Sequence, residues 1–144
     1  MKIGVASDHA GFEYKGKIAA LLKKKGHEVI DYGTYSTESC DYSDFAHPLG
    51  TAIDNGDVEL GVAFCGTGNG MAITLNKHQK VRAALCWETE IARLAKAHNN
   101  ANVIVMPARF ISYQMVTSIV NKWLETEFEG GRHERRIEKI PLCR

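Results

Sequence analysis

Apolar residues along the chain fall into two alternating patterns, short unbroken runs and longer stretches with helical spacing. The short runs are typical of strands that are buried on both faces, and they occupy Lys2–Ser7, Glu28–Asp31, Leu60–Cys65, Arg82–Cys86 and Asn102–Met106. Between the runs, apolar residues recur every three or four positions, which predicts amphipathic helices. Five strands that alternate with helices predict an α/β fold, a parallel sheet covered by helices on both faces.

The helical stretches have recognisable ends at several points. They are predicted over Gly11–Lys25, from Phe45 to near Gly56, over Met71–Lys77, over Thr89–His98 and from a Ser112 cap to Leu124. Pro48 conflicts with the second of these helices, because a proline beyond the first turn removes a helical hydrogen bond. No repeat, low-complexity tract or linker divides the chain, so residues 1–144 are expected to form a single domain.

Composition and charge exclude several classes of function. The 144 residues carry 18 basic and 17 acidic side chains, a net charge of +1 that gives no overall field to attract nucleic acid. No apolar run approaches the ~18 residues of a membrane span, and the N-terminus has no export signal. We therefore expect a cytoplasmic protein without nucleic-acid or membrane partners. Its cysteines, expected to be reduced, lack zinc-site spacing, and no metal site is predicted; they are Cys40, Cys65, Cys86 and Cys143.

Polar residues follow three of the predicted strands directly. In parallel sheets, ligands bind beyond the carboxyl ends of the strands. Asp8 and His9 follow the first strand, Cys65–Gly70 ends the third, and Arg109 follows the fifth. These residues are therefore the first candidates for a site.

The loop Gly66-Thr67-Gly68-Asn69-Gly70 connects a strand to a helix. Glycines at alternate positions allow a ligand to approach the backbone, and they direct several N–H groups to one point that suits a phosphate or an oxyanion. The loop matches neither a phosphate-binding Walker loop nor the dinucleotide fingerprint, and a plain tight turn would explain the same glycines. Cys65 beside this helix N-terminus is either a thiol with a lowered pKa or a small buried hydrophobic residue.

Other candidates also have a structural alternative. Asp8 could cap a helix with His9 merely exposed, and His98, four residues after Leu94, could simply end a helix. Arg132 and Arg136 lie four residues apart, so on a helix both guanidinium groups point the same way and suit a phosphate. The alternative for them is a solvated basic tail.

Taken together, several segments resemble the ribose-5-phosphate isomerase B family, which also includes allose- and galactose-6-phosphate isomerases. They are SDHAG, DYGTYS, CDYSDFA, CGTGNGM, RAALCWE, AHNNANV and EGGRHERR, and the resemblance runs from Ile3 to about Ile140. It implies a Rossmann-like three-layer sandwich and a homodimer, sometimes paired into a tetramer, with the C-terminal helix at the dimer interface. It also implies a phosphorylated sugar substrate and no cofactor.

The resemblance implies a reaction and a role for each matching residue. D-ribose 5-phosphate and D-ribulose 5-phosphate would interconvert through an enediolate, with Cys65 as the base and Thr67 assisting proton movement. Asp8 and His98 match residues linked to opening of the sugar ring. Gly70–Leu75 contains no acidic residue, which fits members of the family that use a cysteine.

Binding residues are implied in the same way, and the site is expected to be shared between two subunits. Phosphate and sugar contacts match His9, Tyr42, Gly66, Gly68, Asn69, Gly70, Asn99, Arg109, Arg132 and Arg136. Of these, Asn99 and Arg109 are expected to come from the neighbouring subunit, together with His98. The alternatives are an isomerase for a six-carbon aldose 6-phosphate, a non-catalytic phosphate-binding module and, less favoured, a thiol-redox protein.

Overall fold

The sheet of the computed structural model, which describes residues 1–142, has five strands that all run parallel. In chain order they are β1 (Lys2–Ser7), β2 (Glu28–Asp31), β3 (Leu60–Cys65), β4 (Ala83–Leu85) and β5 (Val103–Pro107). In space the order is β2-β1-β3-β5-β4. The chain therefore winds outward from β1 in one direction and then from β3 in the other. The carboxyl ends of β1 and β3 form the switch point where ligands bind in such sheets.

Within residues 1–142, five helices cover the two faces of this sheet, and a sixth packs against the fourth. They are α1 (Phe12–Lys24), α2 (Ser43–Asn55), α3 (Asn69–Leu75), α4 (Thr89–Asn99), α5 (Tyr113–Glu125) and α6 (Arg132–Glu138), and a 3₁₀ turn, His9–Gly11, precedes α1. Ile18 of α1 and Trp123 of α5 belong to the core cluster on one face, whereas Leu49 of α2 and Met71 of α3 belong to the cluster on the other. The predicted three-layer α/β fold is confirmed. None of the helices within residues 1–142 has the length and apolarity that a bilayer crossing requires.

Strand β3 shows how the sheet assigns side chains to its two faces. Val62 and Phe64 point into the cluster with α1 and α5, and Ala63 and Cys65 point into the cluster with α2 and α3. This is the period of two that a strand imposes. All six residues of β3 are buried, and Cys65 consequently ends the strand facing α2 and α3.

Several boundaries differ from the prediction. Helix α2 begins at Ser43 and contains Pro48, so the lost hydrogen bond did not end the helix. Leu49 and Ile53 of its buried face are at most 6% exposed, and their burial outweighs the local cost of the proline. Helix α3 begins two residues before the predicted Met71, because Gly68 adopts a left-handed conformation and serves as the N-cap.

Candidate active site

The glycine loop surrounds the Cys65 sulfur with backbone donors. The N–H groups of Met71, Gly68 and Thr67 all point at this atom and each lowers the pKa of the thiol. Gly68 makes the turn possible with a φ of +80°, and a Cβ atom there would lie 2.4 Å from Leu85 Cδ1. The predicted convergence of amides is therefore present in the fold.

The net pKa of Cys65 is nevertheless raised, so of the two alternatives for this thiol the one with a lowered pKa is wrong for this chain. Burial is the largest cause, because only 4% of the residue is exposed and the thiolate is poorly solvated. The negative charge of Asp8 raises the pKa further. Burial also raises the pKa of Cys86, to about 12, and no backbone donors act on that thiol. The amides thus offset only part of the increase in the pKa of Cys65 that burial causes.

Asp8 and His9 lie beside Cys65 at the end of β1. The Asp8 carboxylate is buried, and its Oδ1 accepts the N–H groups of Ala10 at 2.9 Å and Gly11 at 3.3 Å. Asp8 therefore caps the 3₁₀ turn, which agrees with the structural interpretation of this residue as a helix cap. The same carboxylate also lies close enough to the Cys65 thiol to act on its pKa. His9 Nδ1 accepts the N–H of Cys40 at 3.2 Å, so in this arrangement the ring proton lies on Nε2.

Tyr42 closes one side of the glycine loop. A Cβ atom on Gly70 would lie 2.4 Å from Tyr42 Cζ, which means that the ring packs directly on this glycine. Tyr42 remains 43% exposed. On the loop itself, Thr67 Oγ1 accepts the N–H of Asn69 at 3.2 Å, which orients the hydroxyl on the glycine loop.

Arg109 belongs to this same group, which corrects its assignment to the neighbouring subunit. Strand β5 pairs with β3, and the ladder continues past both strands: the N–H of Arg109 donates to the Gly66 carbonyl at 3.1 Å. The Arg109 guanidinium covers Gly66, with Nη1 3.2 Å from the position of a Cβ atom there. The strand order therefore brings this arginine to the glycine loop of its own chain.

The second group lies where the end of α4 meets α6. The rings of His98 and His133 stack at 4.2 Å between centroids with an 11° interplanar angle. Glu129 Oε1 lies 3.7 Å from His98 Nε2 and 3.5 Å from His133 Nε2. Arg132 and Arg136 both lie on α6, as their spacing predicted, and their charges reach His133.

Sequence reasoning missed Glu129 and His133. His133 is buried, and its pKa is lowered by that burial and then by the charges of His98 and Arg132, while Glu129 raises it. The spacing of four residues between Glu129 and His133 was a usable signal, but their contact with His98 depends on packing. The donor atoms of the three residues lie within 4.8 Å of one another, so this set has the chemistry of a metal site although none was predicted. The nearby arginine charges oppose a cation there.

The two groups lie at opposite ends of the sheet. Helix α4 leaves the carboxyl end of β4 and returns to the amino end of β5, and its 11 residues rise by about 16 Å. His98 and Asn99 end this helix, far from the loop that holds Cys65. One chain therefore carries two separate groups of candidate residues, a thiol with surrounding amides and a histidine with two arginines.

Comparisons with known proteins show which family the chain belongs to. A family model described as Ribose/Galactose Isomerase matches residues 3–140. The chain is 41% identical to ribose-5-phosphate isomerase B of Escherichia coli, over 96% of this chain and 93% of the relative. Its fold is similar to a ribose 5-phosphate isomerase structure from Thermotoga maritima, with a TM-score of 0.94, 50% identity and 97% of each chain covered. Ribose-5-phosphate isomerase B of Mycoplasma genitalium with bound ribulose-5-phosphate gives a TM-score of 0.93 at 41% identity, over 96% of this chain and 93% of that one.

Proposed function

The chain belongs to the ribose/galactose isomerase family and is a sugar-phosphate isomerase, and on this premise we propose that it interconverts D-ribose 5-phosphate and D-ribulose 5-phosphate. The names of the relatives support this substrate pair. The observation that carries the proposal for this chain is the set of three amides around Cys65, next to Asp8 at the switch point of the sheet.

Cys65 acts as the carbon base in this proposal. Its thiolate takes the proton from C2 of the open-chain aldose, and the electron pair forms the enediolate with C1. The same sulfur returns the proton to C1, while a proton passes from the oxygen on C2 to the oxygen on C1 with the help of Thr67. The amides of the glycine loop, from Gly66 to Gly70, stabilise the thiolate and the enediolate oxygen in turn.

Ring opening needs a second acid–base pair, because the aldose phosphate is mostly cyclic. Asp8 and His98 supply this pair, one taking the proton of the hydroxyl on C1 and the other giving a proton to the ring oxygen. These two residues lie in the two separate groups of one chain, each of which is a half-site in this proposal. A complete site therefore takes Asp8 from one subunit and His98 from its partner, which implies a homodimer with α6 at the interface.

The cationic residues divide between the same half-sites. His9 and Arg109 lie on the thiol side, and Arg132 and Arg136 lie on the histidine side with the amide of Asn99. Together they hold the phosphate and the sugar hydroxyls, and this remote binding energy positions C1 and C2 at the sulfur. Tyr42 covers the substrate on the thiol side.

The direct test is a coupled assay for ketose formation from ribose 5-phosphate without added metal or nucleotide. We expect turnover, and we expect kcat/KM for ribose 5-phosphate to exceed that for allose 6-phosphate. A large preference for the hexose would assign the protein to a six-carbon substrate. Cys65→Ala should bind ribose 5-phosphate and lose turnover, whereas a wild-type protein that binds without turnover would be a binding module.

A further inference from the structure

Glu129 lies beside His98, the histidine proposed to take part in ring opening. It lies between α5 and α6, and its backbone N–H donates to the Ala97 carbonyl in the last turn of α4 at 2.9 Å. Its Oε1 faces the Nε2 atoms of His98 and His133 at 3.7 Å and 3.5 Å. The roles described above give this carboxylate no function.

We propose that Glu129 is a positioning residue for ring opening, which orients the His98 imidazole toward the ring oxygen. The inference rests on the proposed function and divides the acid and base roles. Asp8 accepts the proton of the hydroxyl on C1, the bond between C1 and the ring oxygen breaks, and His98 gives its proton to that oxygen. The product is the open-chain aldehyde, and proton exchange with water restores both side chains.

The surrounding charges favour a carboxylate at this position. Arg93 on α4 lies close enough to interact with Glu129, and Arg132 and Arg136 on α6 act on the stacked His133. Burial and then the charges of His98 and Arg132 lower the pKa of His133, whereas Glu129 raises it. The negative charge of Glu129 therefore offsets nearby cations while its Oε1 faces the Nε2 atom of His98.

The chemistry of the substrates separates ring opening from carbon-proton transfer. Ribulose 5-phosphate cannot close a five-membered ring, because its C5 oxygen carries the phosphate. It therefore reaches the site as an open chain. Exchange of its C1 hydrogen with solvent needs the base and the enediolate, and it does not need the ring-opening pair.

The test is Glu129→Gln, which keeps the shape of the side chain and removes its charge. We expect turnover from ribose 5-phosphate to fall about tenfold or more, the size of a lost acid–base contribution. The rate at which the C1 hydrogen of ribulose 5-phosphate exchanges in D₂O, followed by NMR, should stay within about twofold of wild type.

Glu127→Gln, at an exposed glutamate of the same connection, is the matched control and should change neither rate. Glu129→Asp, which retains the charge farther from His98, should lose less turnover than Glu129→Gln, and it serves as the test variant if the glutamine variant does not fold. An equal fall in both rates would mean a general structural role and would overturn the inference, as would no change in either. Absence of both rates in the wild-type protein would instead overturn the proposed function.

Discussion

The ionisation of the Cys65 sulfur depends on two opposing effects. Three backbone amides favour the thiolate, while burial and the charge of Asp8 favour the neutral thiol. Burial and Asp8 together have the larger effect, so the pKa is raised. Hydrogen bonds to a charged group are worth about 1.5–3 kcal/mol each. The amides thus limit the cost of forming a base in a buried position.

This balance predicts the pH dependence of the reaction. Only the thiolate accepts a proton, and the pKa of Cys65 is raised above that of an ordinary thiol. We therefore expect kcat/KM to increase about tenfold per pH unit on the alkaline side of neutrality, until the pH passes that pKa. The measurement is kcat/KM for ribose 5-phosphate from pH 6 to 9. Cys65→Ser should lower kcat by about 10²-fold or more, whereas Cys86→Ala should keep the wild-type profile; a flat profile for wild type would exclude Cys65 as the base.

Arg136 carries a separate prediction about substrate binding. Loss of a phosphate contact worth more than about 1.4 kcal/mol should raise KM for ribose 5-phosphate by about tenfold or more. Arg136→Ala is compared with Arg135→Ala, which removes the same charge from the preceding position of α6; both residues are exposed. Equal KM values for the two variants would mean that Arg136 does not contact the phosphate and belongs to a solvated basic tail.

At the scale of elements, the turn between β3 and α3 depends on backbone conformations that only glycine adopts readily. Gly68 has a positive φ, and its missing side chain leaves room for Leu85. Gly70 leaves room for the Tyr42 ring in the same way. The glycines of this loop therefore form a tight turn, as the structural interpretation of the sequence predicted. The same turn also directs the backbone amides toward Cys65.

Gly68→Ala tests this element. We expect a loss of about 1–3 kcal/mol in the free energy of unfolding from the strained φ, together with lower kcat because the amides turn away from the sulfur. Urea unfolding and steady-state kinetics measure the two effects. In the control Gly16→Ala, a Cβ atom in α1 meets nothing within 4 Å, and helix propensity should increase stability by about 1 kcal/mol. A Gly68→Ala protein with wild-type stability and kcat would contradict the role of this turn.

At the scale of the molecule, the proposed homodimer joins Cys65 of one subunit to His98 of the other, and this arrangement predicts how variants complement one another. Cys65→Ala and His98→Ala should each be inactive as homodimers. Coexpressed, half of the dimers would be mixed, and one of the two sites in each would be intact, which gives about one quarter of wild-type activity.

The control for complementation uses two residues of one half-site. Cys65→Ala with Asp8→Ala should show no recovery, because every mixed site then lacks one of the two groups. The measurement is the activity of the coexpressed protein, purified without separating mixed dimers from the parental homodimers. No recovery in the test pair would place Cys65 and His98 in one chain's site. Recovery in the control pair would mean that Cys65 and Asp8 enter the site from different chains.

The sequence by itself determined the features that depend on neighbouring residues. Periodicity located the strands, and strand ends followed by Asp8 and by the Cys65 loop identified the edge of the sheet that holds the thiol. Packing determined the rest. The raised pKa of Cys65 depends on how completely α2 and α3 cover it, and the contact of Glu129 and His133 with His98 depends on how α6 meets α4. Arg109 reaches the glycine loop because β5 lies beside β3. Desolvation and through-space contact are properties of the packed chain, whereas hydrophobic periodicity and turn chemistry are properties of short segments.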